Sequence, residues 1–214
     1  EILGQYFDWA RDLGPAAVCI WPYDQGGCGC PECQPWGSRG FMRCVAEVGA
    51  LARGKLPGAR IVLSTWYLDR AEWREVARQV REKPGLADAL LLEHFWGGDA
   101  EGLAAEAAAL GLPVVGFPEI SMRGMFPWGG FGANPQPRRF HREWRAKQAV
   151  LSGGFPYSEG VFEDLNKVLW LQLYWDPGAT VETVLDEYIA YEFGKADADS
   201  VREAVLTLER NHHF

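Results

Sequence analysis

Residues 60–66 read RIVLSTW, a nearly unbroken run of apolar side chains. Such a run is typical of a β-strand covered on both faces, because a strand with one solvated face alternates apolar and polar residues. Similar runs recur at 16–23 (AAVCIWPY), 89–95 (ALLLEHF), 113–117 (PVVGF) and, more weakly, 150–157 (VLSGGFPY). These runs predict the strands of a parallel sheet.

Amphipathic segments fill the gaps between these runs. Helices are predicted over 41–53, 71–82, 101–110 and 140–151, where apolar side chains recur at helical spacing. Consecutive strands are therefore separated by a dozen or more residues, as a parallel crossover requires. The order βαβαβαβ predicts an α/β fold.

After residue 157 the pattern changes to helices alone. A mostly apolar helix is predicted over 163–175, a second helix begins at Thr180 and ends at Gly194, and a third covers 198–210. We therefore predict two regions, a partial (β/α) barrel over 1–160 and a C-terminal helical region over 161–214 that packs on it.

Five parallel strands do not close a barrel, since a (β/α)₈ barrel has eight strands and typically about 250 residues. The alternatives are a small open sheet with helices on both faces and part of a barrel. Loops rich in Trp, Gly and carboxylates follow every predicted strand, whereas an open sheet usually concentrates its site at one switch point. The loops favour part of a barrel. Its exposed strand edges would need covering, so we expect a homodimer or pairing with the missing N-terminal half of the same barrel.

The charge of the chain excludes one class of partner. Its 214 residues carry 21 Lys and Arg against 29 Asp and Glu, a formal net charge of −8. A nucleic-acid groove needs clustered positive charge, so nucleic-acid binding is not expected. No membrane helix is predicted, because no apolar run reaches about 18 residues. The first residues lack a signal peptide's pattern, and the compartment stays open between the cytoplasm and secretion.

Carboxylates follow four of the predicted strands. Asp24 follows the first strand, Glu93 lies near the end of the third, and Glu119 and Glu159 follow the fourth and fifth. The C-terminal ends of parallel barrel strands converge on one mouth. Glycoside hydrolysis needs one carboxylic acid to protonate the leaving oxygen and one carboxylate as nucleophile or base. We predict Glu119 and Glu159 as the acid/base pair, with Asp24 and Glu93 orienting or assisting. Any single one of these acids could instead cap a helix or pair with an arginine.

Aromatic residues accompany Gly and Pro in the predicted loops, as in 126–131 (FPWGGF). With the acids and few cations, they predict a surface for a neutral polyhydroxylated ligand, an oligo- or polysaccharide. The alternative is that the rings only cover the core, and that Arg123 pairs with a neighbouring acid instead of an acidic sugar. The predicted substrate-binding residues are Tyr23, Trp66, His94, Trp96, Arg123 and Trp128.

Cysteines cluster in residues 28–33 (CGCPEC), and another follows on the next predicted helix. Cys28, Cys30, Cys33 and Cys44 could supply a tetrahedral zinc site of structural type. Reduced thiols and a disulfide are the alternatives, because the spacing differs from two paired CxxC knuckles. No cofactor is expected to be required for catalysis.

Several segments resemble uncharacterised bacterial proteins related to glycoside hydrolases. They are 23–33 (YDQGGCGCPEC), 63–67 (LSTWY), 157–160 (YSEG) and the tail motifs 174–177 (YWDP), 187–188 (EY) and 192–194 (EFG). The wider group includes the family 20 β-hexosaminidases and family 67 α-glucuronidases. The resemblance implies a bacterial (β/α)₈-barrel protein whose chain runs here from about the third helix through strands four to eight, with the first strands absent.

The chain departs from family 20 at one position. Those enzymes carry an adjacent Asp-Glu pair after strand four, and here Asp24 is followed by Gln25. Family 67 enzymes spread their acids over several strand ends, which is closer to Glu93, Glu119 and Glu159.

The sequence therefore predicts a hydrolase of glycosidic bonds. The alternatives are a non-catalytic carbohydrate-binding barrel and a zinc-stabilised α/β domain without a sugar function.

Overall fold

A computed structural model describes residues 1–24, 26–66, 68–93, 100–120, 134–158 and 163–211. The strands are β1 (Ala17–Ile20), β2 (Arg60–Ser64), β3 (Ala89–Glu93), β4 (Val114–Phe117) and β5 (Gly153–Gly154). The helices are α1 (Ile2–Ala10), α2 (Phe41–Lys55), α3 (Arg70–Glu82), α4 (Ala100–Ala108), α5 (Pro137–Lys147), α6 (Asp164–Trp175), α7 (Val181–Glu192) and α8 (Ala198–Asn211). No helix among the described residues is both long enough and apolar enough to cross a bilayer.

The strands form one sheet in the order β1-β2-β3-β4-β5. The pairs β1–β2 and β2–β3 are parallel, with Ile20 opposite Leu63 and Ser64 opposite Leu91. The predicted α/β class and all five predicted strands are confirmed. The fifth is reduced to two glycines, and Gly154 lies so close to Tyr174 that an added Cβ would stand 2.3 Å from the phenol oxygen.

The chain divides into two compact units, Glu1–Val115 and Gly116–Phe214. The predicted division at residue 160, which separates strands from helices, stays a prediction.

The core of the first unit lies between its strands and helices. Ile61 and Leu63 of β2 and Val76 of α3 are completely buried. Trp73 of α3 is buried as well, and its indole N–H donates to Glu106 of α4 at 2.8 Å. The apolar stripes that predict these helices are therefore the faces that pack inward. Helix α1, which the apolar runs did not predict, buries Phe7 and Ala10.

The second unit is centred on α6, an apolar helix with buried residues on several sides. Its Trp170 is fully buried and lies with Phe140 and Trp144 of α5 at ring-centroid separations of 6.1 and 6.2 Å. Edge-to-face and tilted pairs of this kind add to the stabilisation from burial alone. Thr180 caps α7 by accepting the N–H of Thr183, as its predicted position at the start of that helix requires.

Helix α3 begins with a complete capping box. The Asp69 carboxylate accepts the N–H groups of Ala71 and Glu72, both at 2.8 Å, and the Glu72 carboxylate accepts the N–H of Asp69 at 3.2 Å. These bonds satisfy donors at the helix start that otherwise lack partners.

Replacing Asp69→Ala should therefore lower the free energy of unfolding by about 1 kcal/mol. For a chain of this length the melting temperature should fall by about 2–4 °C, measurable by calorimetry. Asp12→Ala, at an exposed aspartate of the same unit, is the control and should change stability by less than about 0.5 kcal/mol. An equal effect of the two variants would contradict the capping role.

Candidate functional site

A carboxylate and an indole meet beyond the ends of β1 and β2. The Trp66 indole N–H donates to Asp24 at 2.8 Å, and the rings of Trp66 and Trp21 lie 5.3 Å apart. Trp66 is only 5% exposed, so its indole mainly positions Asp24. Among the described residues, Trp21 is 37% exposed, and Tyr23, which precedes Asp24 in the chain, is 70% exposed. Trp21 was not among the predicted substrate-binding residues.

Several predicted site residues are not characterised by the structure. Glu93 is the last residue of β3, and its backbone alone is described. The predicted residues outside the described ranges are His94, Trp96, Arg123, Trp128 and Glu159. Their roles stay predictions.

Glu119 is a buried acid just beyond the end of β4. Its residue is 3% exposed and forms a parallel bridge with Tyr157. Two backbone hydrogen bonds frame it, from Tyr157 N to the Pro118 carbonyl at 2.8 Å and from Ile120 N to the Tyr157 carbonyl at 3.0 Å. The Tyr157 ring also stacks on Phe117, with centroids 5.2 Å apart. The backbone that carries Glu119 is thus fixed on both sides.

Asn166 of α6 holds the same segment from another direction. Its side-chain NH₂ donates to the carbonyls of Asn134 at 2.7 Å and Ile120 at 3.4 Å, and its oxygen accepts the N–H of Gln136 at 2.9 Å. All three polar side chains, Asn134, Gln136 and Asn166, are essentially inaccessible to solvent. Buried polar groups are stable when they are hydrogen-bonded, so this cluster fixes the segment in place. The sequence signal for this cluster is an Asn inside an otherwise apolar helical stripe.

This unit has a second buried acid, Glu163, which was not among the predicted site residues. Glu163 is 1% exposed, and it accepts a hydrogen bond from the Ser158 hydroxyl at 3.2 Å. Glu163 stands at the N-cap position of α6, yet its carboxylate does not cap the helix. Glu163 begins the helix predicted over 163–175, and only the fold shows that its side chain is buried.

Three of the four predicted metal ligands converge. The Sγ atoms of Cys28, Cys30 and Cys33 all lie within 4.8 Å of one another, a group that could hold a metal ion. Cys28 and Cys30 are exposed and Cys33 is partly buried. All are free thiols in the structure.

Cys44 is an exposed residue of α2 and does not belong to this group. Its neighbour Arg43 contacts the cluster instead, with its guanidinium donating to Cys33 Sγ at 2.8 Å. Successive residues of an α-helix point about 100° apart. With Arg43 directed at the cluster, Cys44 faces elsewhere, and the expected four-cysteine set is not formed.

The hydrogen bonds within the cluster give Cys30 and Cys33 different pKa values. The pKa of Cys30 is lowered to about 7, chiefly by the hydrogen bond with the Cys28 side chain. The pKa of Cys33 is raised to about 11, first by its hydrogen bond with Cys30. Cys30 is therefore the first of these two to ionise in the absence of a metal.

The loop that carries the thiols is packed around Trp36. A Cβ added at Gly27 or Gly40 would stand 2.4 Å from the Trp36 ring, so the indole lies between two glycines. Next to it, the Gly37 N–H donates to Glu72 at 2.7 Å, which ties the loop to the first turn of α3. Gly27 and Gly40 are thus required at these positions because the Trp36 ring approaches both of them closely.

Comparison with known proteins finds a similar fold but assigns the chain to no family. No protein-family profile and no curated protein matches the chain significantly. Among solved structures, it is similar to 3-dehydroquinate dehydratase from Geobacillus kaustophilus HTA426, a TIM barrel, with TM-score 0.51 and 13% identity over 90% of this chain. The chain spans 65% of the length of that protein. The five-stranded parallel sheet and its helices thus correspond to part of a TIM-type barrel.

Bee venom hyaluronidase also aligns, alone and in complex with a hyaluronic acid tetramer. The TM-scores are 0.42 and 0.41, with 14% and 12% identity, covering 72% and 74% of this chain and 52% of that chain in both cases. A superposition at this level carries no information about activity. The expected relation to glycoside hydrolase families 20 and 67 stays a prediction.

The packing of Trp36 predicts a contrast between two glycines of one loop. Gly40→Ala keeps an ordinary helical backbone but places a methyl group against the ring, so it should destabilise the protein by about 1–3 kcal/mol. Gly29→Ala meets no atom within 4 Å and should be close to neutral. Thermal unfolding of both variants measures the difference. A neutral Gly40→Ala would show that Trp36 is not held in this way.

Proposed function

We propose that the protein is a carbohydrate-active hydrolase that cleaves glycosidic bonds with paired carboxylates. The observation that carries the proposal is Glu119, a carboxylate buried at the C-terminal end of a parallel strand and framed by Tyr157 and Asn166. Acid/base catalysis depends on a side chain held in one place, and this backbone is fixed on both sides. The C-terminal strand ends are also where barrel enzymes carry their active sites.

In the proposed mechanism one carboxylic acid protonates the glycosidic oxygen as the bond to the anomeric carbon breaks. A carboxylate either attacks that carbon or removes a proton from the attacking water. Glu119 and Glu159 are proposed for these two roles, with Asp24 and Glu93 assisting. Glu163 is added as a candidate, because a buried carboxylate that accepts a hydroxyl proton from Ser158 is not serving as a helix cap.

No metal is needed for this chemistry, and we propose that the three clustered thiols bind a structural zinc ion without a role in bond cleavage. They are a soft donor set of the kind that zinc prefers.

A non-catalytic carbohydrate-binding barrel is the second candidate function. It is favoured by the exposed rings of Trp21 and Tyr23 beside Asp24. Aromatic faces next to a hydrogen-bonding acid suit the apolar faces and hydroxyls of a sugar. This arrangement binds a saccharide whether or not Glu119 is catalytic, so the two candidates are separable by experiment.

Hydrolysis of a panel of aryl glycosides and aryl uronides tests the first candidate. Glu119→Gln should lower kcat/KM by about 10²- to 10⁴-fold, because the amide can neither donate nor accept the transferred proton. Glu182→Gln, an exposed acid of α7, is the matched control and should retain full activity. Equal activity of Glu119→Gln and the control would remove Glu119 from the mechanism.

The second candidate predicts binding without turnover. If no glycoside is cleaved, saccharides should still raise the melting temperature, and Tyr23→Ala should weaken that effect. Hydrolysis of any substrate in the panel by the unmodified protein would reject a purely binding role.

A further inference from the structure

We propose that Cys28, Cys30 and Cys33 bind one zinc ion as three thiolates, and that this ion fixes the loop that presents Asp24. The metal site stands on its own geometry. Only its effect on substrate binding at Asp24 rests on the function proposed above.

The sulfur positions are close to those of a loaded site. Zinc–sulfur bonds of about 2.3 Å in a tetrahedron hold sulfur atoms about 3.8 Å apart. The three Sγ atoms here lie within 4.8 Å of one another, so binding would bring them together by at most about 1 Å. Thiolates favour zinc over the hard cations magnesium and calcium, which prefer oxygen ligands.

The backbone around the sulfurs is already turned for chelation. The Cys30 carbonyl accepts the N–H groups of Cys33 and Gln34 at 3.0 and 3.1 Å. The Gln34 side chain donates to the Cys28 carbonyl at 2.9 Å, which closes the same turn from the other side. Three side chains of one short segment are thereby presented to a common point.

A positive charge lies beside the sulfurs. A zinc ion with three thiolates carries one net negative charge, and the Arg43 guanidinium donates to Cys33 Sγ at 2.8 Å. A cationic hydrogen-bond donor stabilises thiolate sulfur and offsets that charge. No fourth Cys, His, Asp or Glu of the described residues joins the group.

A cross-link of this kind would stabilise the loop between β1 and α2. It is longer than the roughly 12–15 residues beyond which connections without regular structure become uncommon. It contains one short helical stretch, Trp36–Gly40, and most of its side chains before that stretch are exposed. A metal ion supplies ordering energy that buried apolar area does not supply there.

The cross-link acts on the candidate ligand site through the chain. Asp24 precedes Cys28 by four positions, and its neighbours are joined by a hydrogen bond from the Gly26 N–H to the Tyr23 carbonyl at 2.8 Å. On the other side of the thiols, Trp36 and the Glu72–Gly37 hydrogen bond join the loop to α3. With the metal bound, Asp24 is held at a fixed place against Trp66.

Metal content tests the ligand set. The full chain, unfolded, reduced and refolded with Zn²⁺, should retain one zinc per chain after desalting, measured by elemental mass spectrometry. Cys28→Ser, Cys30→Ser and Cys33→Ser should each lower zinc retention at least tenfold, and Cys44→Ser should retain it. Absence of zinc from the unmodified protein, or loss of zinc in Cys44→Ser alone, would overturn the site.

Cobalt provides a check that does not depend on folding yield. Co²⁺ bound at the site should give a thiolate-to-cobalt charge-transfer band in the near ultraviolet, which Zn²⁺ displaces. A cobalt complex without this band would show that the metal binds elsewhere. Recovery of the thiols as a disulfide after refolding in Zn²⁺ would also reject the proposal.

The effect on Asp24 is read from the indole N–H signals in ¹⁵N-labelled protein. Chelation of zinc should shift or broaden the Trp66 signal, assigned with Trp66→Phe, and leave the Trp144 signal, assigned with Trp144→Phe, in place. Trp144 belongs to the second unit, where its indole N–H donates to the Pro177 carbonyl at 3.4 Å, which makes it the reference. An unchanged Trp66 signal with zinc stoichiometrically removed would overturn the positioning role. Neither readout depends on hydrolysis.

Discussion

The parallel pairing of β1 and β2 is the constraint on which the first unit depends. With Ile20 opposite Leu63, the two strands end within one residue of each other, and the next residues of both leave the sheet at the same edge. Trp21 and Trp66 therefore meet, although 45 positions separate them in sequence, and the Trp66 indole can reach Asp24. A shift of this pairing by one residue would turn every β2 side chain to the other face and separate the two rings.

In the second unit, the residues beyond the strand ends are held in place by different contacts. There the strand β5 is only two glycines, too short to fix its neighbours by backbone pairing alone. A single bridge at Glu119 and Tyr157 continues the parallel pairing, and the buried amide of Asn166 ties the following residue to α6. A buried amide left without partners is costly, so these hydrogen bonds favour one arrangement of the segment over alternatives. The apolar and aromatic surroundings of α6 supply the burial, and the amide supplies the specificity.

The loop that carries the thiols and glycines is ordered by a third kind of contact. Little apolar area is available to it, so its order comes from the Trp36 indole between Gly27 and Gly40 and from hydrogen bonds to Glu72 and within the cysteine turn. Glu72 serves two structures at once, because one oxygen completes the capping box of α3 and the other accepts the Gly37 N–H. The start of α3 and the end of the thiol loop are consequently coupled.

The sequence by itself determined the architecture. Unbroken apolar runs and amphipathic segments of helical period identified the strands and the helices that join them, because burial on two faces or on one stripe leaves a direct mark on composition. It also identified Glu119 and the cysteines of residues 28–33, whose spacing along one short segment keeps them near one another in any fold. What only the tertiary structure decided are contacts between residues far apart in the chain. These contacts depend on how helices are rotated and how strands are registered. They are the burial of Glu163, the hydrogen bonds of Asn166, the hydrogen bond between Trp66 and Asp24, and the position of Arg43 beside the thiols where Cys44 was expected. Adjacent helical residues point about 100° apart, and local sequence does not record which of them faces a given loop.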